Sequence, residues 1–114
     1  MARRSGFSAQ TLAVLAELCA TPSQWRHGYG IARGTGLKSG TLYPVLIRLA
    51  DRGLVEARWE DEQPAGRPRR HLYRLTPDGL AIATEALIRA RSDGAATAAA
   101  RVRAGRPATV RVTP

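Results

Sequence analysis

The sequence predicts a mainly α-helical fold with one small β-hairpin, and three patterns in its 114 residues carry that prediction. Leu42, Val45, Leu46 and Leu49 recur at helical spacing ahead of Gly53, so one stripe of that segment faces a core. Two alternating runs, Leu54 to Glu60 and His71 to Leu75, flank a loop rich in Pro, Gly and Arg and read as an antiparallel hairpin. Thr76-Pro77-Asp78 then places a cap residue, a first-turn proline and a first-turn acid in the order that starts a helix.

Taken in order, Ser8 caps a first helix running to about Ala20, with Leu12, Leu15, Leu18 and Cys19 on one side. Thr21-Pro22 stops it, because a residue before proline avoids the α region. Trp25 to His27 is a short connector that either stays irregular or pairs as a brief strand. His27 to Arg33 forms a short second helix, and Gly34-Thr35-Gly36 turns the chain into the third. Two short helices across such a glycine turn make a helix-turn-helix pattern.

The third helix starts at a cap on Lys38 or Ser39 and ends after Arg52 at Gly53. Pro44 lies inside it, where its ring crowds the carbonyl four residues back. A glycine at that place, Gly40, lessens the clash and lets a phosphate approach the helix N-terminus. Opposite the apolar stripe stand Gly40, Tyr43, Pro44 and Ile47, flanked by Thr41 and Arg48. Sizeable apolar groups on that outer side predict that something docks there.

Val55, Ala57 and Trp59 share one side of the first hairpin strand, and Tyr73 and Leu75 pair up on the second. Pro64, Gly66 and Pro68 stiffen a projecting basic loop. The last helix carries Leu80, Ala83, Leu87, Ile88 and Ala90, with a stop at Ser92-Asp93-Gly94; residues 95–104 either extend it or form a second Ala-rich helix. The resulting divisions are a basic extension (1–7), a helical and hairpin body (8–76), a C-terminal helix (77–93) and a flexible Ala/Arg-rich basic tail (94–114). One domain with extensions suits this length.

Charge is unevenly placed. The formal net charge is +9 from 18 basic and 9 acidic residues, and every basic residue but Lys38 is arginine. Arg3 and Arg4 open the chain, residues 63–74 hold Arg67, Arg69, Arg70 and Arg74 without an acid, and residues 95–114 add four arginines without an acid. A nearly neutral body with three basic extensions suits a polyanion. Cys19 stands alone, which leaves no disulfide framework and no thiolate metal cluster. His27 and His71 lie far apart in the sequence, with no nucleophile motif or phosphate loop, so neither an enzyme nor a metal or cofactor is expected. Glu17 interrupts the apolar run after the twin arginines and no run approaches a membrane span, so a soluble cytoplasmic, nucleoid-associated protein is expected.

With helix, helix, recognition helix, hairpin and helix in sequence, the chain resembles the PadR-like winged-helix transcriptional regulators, in their shorter C-terminal subgroup. His27 to Ala32, Gly36 to Leu49, Asp51 to Glu56 and Gly66 to Thr76 carry the match, in the right order across roughly residues 8 to 91. The resemblance implies a winged helix-turn-helix plus a C-terminal dimerisation helix, acting as a homodimer on an inverted-repeat, double-stranded DNA operator, usually as a repressor. Ser39, Gly40, Thr41, Tyr43 and Pro44 match positions that meet DNA, with Lys38 and Arg48 supplying charge to the backbone and Arg67, Arg69 and Arg70 arming the wing. Leu80, Leu87 and Ile88 match the dimerisation stripe. Some relatives bind aromatic effectors between C-terminal helices, but residues 77–114 contain no aromatic residue; Trp25 and Trp59 are the better places for a small-molecule effector. The competing reading is an architectural or protein-interaction module that binds nucleic acid without sequence choice.

Overall fold

The computed structural model describes residues 6–61 and 65–105, with side chains described as far as Gly94. The elements run α1 (Ala9–Cys19), β1 (Arg26–His27), α2 (Gly28–Thr35), α3 (Ser39–Asp51), β2 (Val55–Trp59), β3 (His71–Leu75) and α4 (Pro77–Gly105). The strands form an antiparallel sheet in the order β1-β3-β2. This is the architecture of a winged helix, with one short strand pairing behind the hairpin. The expected extension at Arg3 and Arg4, the loop position Pro64 and the tail beyond Gly105 lie outside the described residues.

Local chemistry sets the boundaries. Ser8 Oγ accepts the Thr11 N–H at 3.1 Å and starts α1. His27 is the cap of α2 and not its first residue: its Nδ1 accepts the Gly30 N–H at 3.0 Å. Gly36 closes that helix with φ 78° and donates its N–H to the Ala32 carbonyl at 2.8 Å. Gly53 ends α3 with φ 77°, and the Leu54 N–H reaches back to the Leu49 carbonyl at 2.9 Å. That six-to-one bond satisfies a terminal carbonyl and aims Leu54 into the core.

The core is assembled around α3. Leu42, Val45, Leu46 and Leu49 are all buried, packed with Val14, Leu15 and Leu18 of α1, Ile31 of α2, and Leu54, Val55, Tyr73 and Leu75 of the sheet. Each such side chain stabilises by roughly 1.5–3 kcal/mol on burial, so the stripe alone outweighs the irregularity at Pro44. In α1 the buried face differs from the expected one. Val14 is fully buried while Leu12 and Cys19 are only partly so, because α1 packs against α2, α3 and α4 and a broader face is covered. On β2 burial ends after Val55, and Ala57 and Trp59 are exposed, so the alternation marks a strand leaving the body.

Of the two readings left open after Ser92-Asp93-Gly94, a stop with a separate segment or an extension of the same helix, the structure has the extension, so the C-terminal helix is longer than the 77–93 division. It continues to Gly105, through residues that are mostly alanine and arginine, both strong helix formers. A single glycine costs about 1 kcal/mol against alanine, which such a run absorbs when no proline interrupts it. At its start Thr76 Oγ1 accepts the Gly79 N–H at 2.9 Å and donates to the Gly53 carbonyl at 2.7 Å. Gly79 rests directly on the Leu54 carbonyl, where a Cβ would collide with backbone oxygen.

These two helical glycines therefore respond oppositely to alanine. Gly79→Ala is expected to lower unfolding free energy by about 1–3 kcal/mol through overpacking. Gly94→Ala, with open space beside it, is expected to raise it by about 0.5–1 kcal/mol. Urea denaturation of both variants gives the comparison, and equal effects would contradict the close contact at Gly79.

Candidate nucleic-acid interface

The outer face of α3 carries the side chains that the inner stripe excludes from the core. Ser39, Gly40, Thr41, Tyr43, Pro44, Ile47 and Arg48 are all exposed, as is Lys38 at the cap position. Lys38 makes no side-chain capping bond, since a lysine has no acceptor to offer, and its carbonyl accepts the Thr41 and Leu42 N–H groups at 2.9 Å. Gly40 has open space around its Cα. This combination presents a positive helix end at a surface a phosphate can approach closely.

Tyr43 is set at an angle to that face. Its hydroxyl covers Gly28 at the first turn of α2, filling the volume a Cβ would occupy, and its ring lies 6.5 Å from Tyr73 of β3. The side chain is 39% exposed, so it ties α2, α3 and the sheet together while keeping one edge in solvent. Gly28 is the sequence signal for this packing, visible beside Tyr43 only once the helices are placed.

From Tyr73 the contacts continue into the wing. The Tyr73 hydroxyl lies 3.2 Å from His71 Nδ1, and the His71 ring stacks on Trp59 at 4.5 Å with planes 16° apart. Burial, with the nearby Tyr43, raises the Tyr73 phenol above its ordinary value, so it remains a neutral donor or acceptor. At the hairpin end Glu60 Oε1 accepts the Arg70 N–H at 3.1 Å, and Arg67 Nη2 lies 3.2 Å from the same carboxylate. The Arg67 hydrogen bond holds the Glu60 carboxyl below the usual range, against a smaller opposing effect of burial. Thus Arg67 is half-buried on Glu60, Arg69 is exposed, and Arg70 is half-buried with its backbone in the clamp.

The two tryptophans are placed differently. Guanidinium carbons of Arg74 and Arg58 lie 4.3 and 4.7 Å from the Trp25 ring centre, and Arg74 also pairs with Glu56 at 3.1 Å. Trp25 is therefore occupied as a packing platform that joins β1 to the hairpin. Trp59 is 56% exposed with one face on His71. Arg48 shares a recess of about 200 Å³ with Phe7, Ser8, Thr11 and Arg52, and the Arg52 guanidinium stacks 4.9 Å from the Phe7 ring.

On α4, Ala83 and Ala86 are buried against the body, whereas Leu80 and Ile88 are 37% and 63% exposed and Leu87 is half-buried. Ile82, outside the predicted stripe, is also exposed, at 38%. Cys19, across from this helix, hydrogen-bonds with Thr84, and burial outweighs that bond in raising its thiol above the ordinary value. Among the described residues no cluster of His, Cys, Asp or Glu is arranged to hold a metal ion, and no helix is long and apolar enough to cross a membrane.

His27 gives the site a titratable support. Burial lowers its pKa first, with Arg70, Arg26 and Arg67 acting in the same direction and Glu60 opposing. Because the folded state disfavours the proton, the stabilisation is present above the unfolded value of about 6.5 and is lost as pH falls through the lower folded value. Protonation also removes the Nδ1 lone pair that caps Gly30. His27→Asn keeps a capping acceptor without the titration, so urea midpoints for the variant should fall less than wild type between about pH 7.5 and 5; parallel curves would exclude this role.

Comparison with known proteins agrees with this arrangement. Residues 18–85 match the model of the transcriptional regulator PadR-like family. A probable transcriptional regulator from Pseudomonas aeruginosa is similar in structure with a TM-score of 0.65 at 26% identity, over 76% of this chain and 61% of that one. The PcaV transcriptional regulator from Streptomyces coelicolor, solved with its natural ligand, gives 0.64 at 28% identity over 81% and 62%. Bordetella bronchiseptica BpsR, whose DNA binding is regulated by 6-hydroxynicotinic acid, gives 0.66 at 26% over 84% and 68%. The chain spans about three fifths of the first two of these regulators. No curated protein gives a significant match.

Proposed function

We propose that this chain, which belongs to the transcriptional regulator PadR-like family, is a homodimeric repressor that binds an inverted-repeat operator in double-stranded DNA. The family is one of DNA-binding transcription regulators, and the chain has that role in place of an enzymatic one. The observation that carries the finer reading is the outward face of α3, open at Gly40 and lined by Ser39, Thr41, Tyr43 and Pro44, beside a basic wing. In this arrangement α3 enters the major groove, Ser39 and Thr41 bond phosphates or bases, and Lys38 and Arg48 face the backbone. Arg69, with Arg67 and Arg70 beside it, follows the phosphates or a narrow minor groove.

The second copy docks on α4. Exposed Leu80 and Ile88, with Leu87 at their edge, form the side of that helix left over once Ala83 and Ala86 cover the core. The ligands of PcaV and BpsR support a small-molecule effector here as well. With the Trp25 ring covered by two arginines, Trp59 is the more open of the two aromatic positions proposed for it. A cytoplasmic, nucleoid-associated location follows from the same role.

Selection from a random duplex pool tests the reading. A palindrome with half-sites about one helical turn apart, preferred at least roughly a thousandfold over random DNA, is expected. Equal binding to every sequence would instead mark an architectural module. On the selected duplex, Arg69→Ala should weaken binding and flatten the salt slope by about one unit, and an unchanged slope removes Arg69 from the phosphate contacts.

Dimerisation has its own test. Ile88→Asp places a charge on the exposed stripe without touching the core, so light scattering should report a monomer whose helical content is unchanged. A persistent dimer would move the interface elsewhere.

A further inference from the structure

Along its outward face α3 presents Gly40, then Tyr43 and Pro44, then Ile47, then Asp51. Gly40 has no side chain and Pro44 no donor. Tyr43 is turned toward Gly28 and Tyr73 and is 39% exposed, whereas Ile47 is 59% exposed on the same surface. One turn further, Asp51 is exposed and carries the charge that phosphates repel, so the part of this face that approaches a polyanion ends at Ile47. Arg48 beside it, and the wing, supply the opposite charge.

An exposed isoleucine at that place has few partners among base edges. In the major groove the edges of guanine, cytosine and adenine are hydrogen-bond donors and acceptors, and thymine alone adds a methyl group. We infer that Ile47 is a specificity-determining residue that packs on the 5-methyl group of one thymine in each half-site. The inference rests on the proposed operator binding by α3. It assigns base choice to an apolar contact, with the polar residues Ser39, Thr41, Lys38 and Arg48 holding the register.

Uracil differs from thymine only by that methyl, which makes the test atomic. In the sequence selected from the random pool, each thymine is replaced in turn by deoxyuridine, and dissociation constants are measured for wild type and Ile47→Ala. Wild type should lose about fourfold in affinity at one thymine per half-site, the value expected for one buried methyl-sized group. Ile47→Ala should bind the thymine duplex about as weakly as wild type binds the uracil one, and should not distinguish the two. Ile47 is exposed, so this variant should keep its helical content and thermal midpoint.

The inference is overturned if the selected half-site has no thymine, if every replacement changes wild-type affinity by less than twofold, or if Ile47→Ala still distinguishes the two bases. Each of those results leaves sequence-specific binding standing. A pool with no enriched sequence overturns both readings.

Discussion

Burial of one side of α3 is the constraint on which the molecule's surface chemistry depends. Leu42, Val45, Leu46 and Leu49 contact residues from α1, α2 and the sheet, so rotating the helix about its axis would expose several of them at once. At roughly 1.5–3 kcal/mol per side chain, even a small rotation would cost a large part of a small domain's stability. The direction of Gly40, Pro44 and Ile47 is therefore set from the opposite side of the helix. Specific contact with a rigid partner needs such fixed angles, and here they come from packing with no requirement for polar side-chain bonds on the outer face.

A second set of contacts transmits that orientation to the hairpin. Tyr43 covers Gly28 and faces Tyr73; Tyr73 meets His71, and His71 stacks on Trp59. Glu60 then gathers the Arg67 guanidinium and the Arg70 N–H at the strand end. The wing's positive charge is thereby divided between structure and solvent: Arg67 neutralises an acid that would repel a polyanion, while Arg69 remains exposed. A carboxylate in a basic loop looks adverse in a charge count. In place, it is what stops the loop from being an unrestrained coil of like charges.

How much of this the sequence disclosed follows from the range of each signal. The α3 stripe, the Gly53 stop, the hairpin alternation and the Thr76 cap depend on residues within a turn or two, and the structure keeps all of them. The outward positions of Gly40, Tyr43 and Pro44 follow from the same period. The two-residue strand β1 is too short to show any alternation, and it pairs with β3 more than forty positions away. Trp25 against Arg58 and Arg74 and Gly28 beneath Tyr43 are likewise contacts between distant segments, and Arg67 on Glu60 closes the hairpin loop across seven positions. No local pattern specifies them, although each involves a residue type, glycine or arginine, suited to close approach or a flat charged stack. At Ser92-Asp93-Gly94 two local signals compete, a stop and the helix propensity of the alanines that follow, and the helix continues through to Gly105.

The C-terminal helix shows why a stripe on a helical wheel is not yet an interface. Leu80, Ala83, Leu87 and Ile88 share one broad apolar side in sequence, but the body accepts only the small members at closest contact, Ala83 and Ala86. Alanine permits α4 to lie near α1 and still leaves the thiol of Cys19 within reach of Thr84. Leu80 and Ile88 are then turned outward because the close approach leaves no volume for larger groups. A body that needed those residues for its own core would bury them and leave alanines outside. The reverse arrangement, with large apolar side chains in solvent on a helix that extends to Gly105, supports pairing with another apolar surface more strongly than hydrophobic content alone.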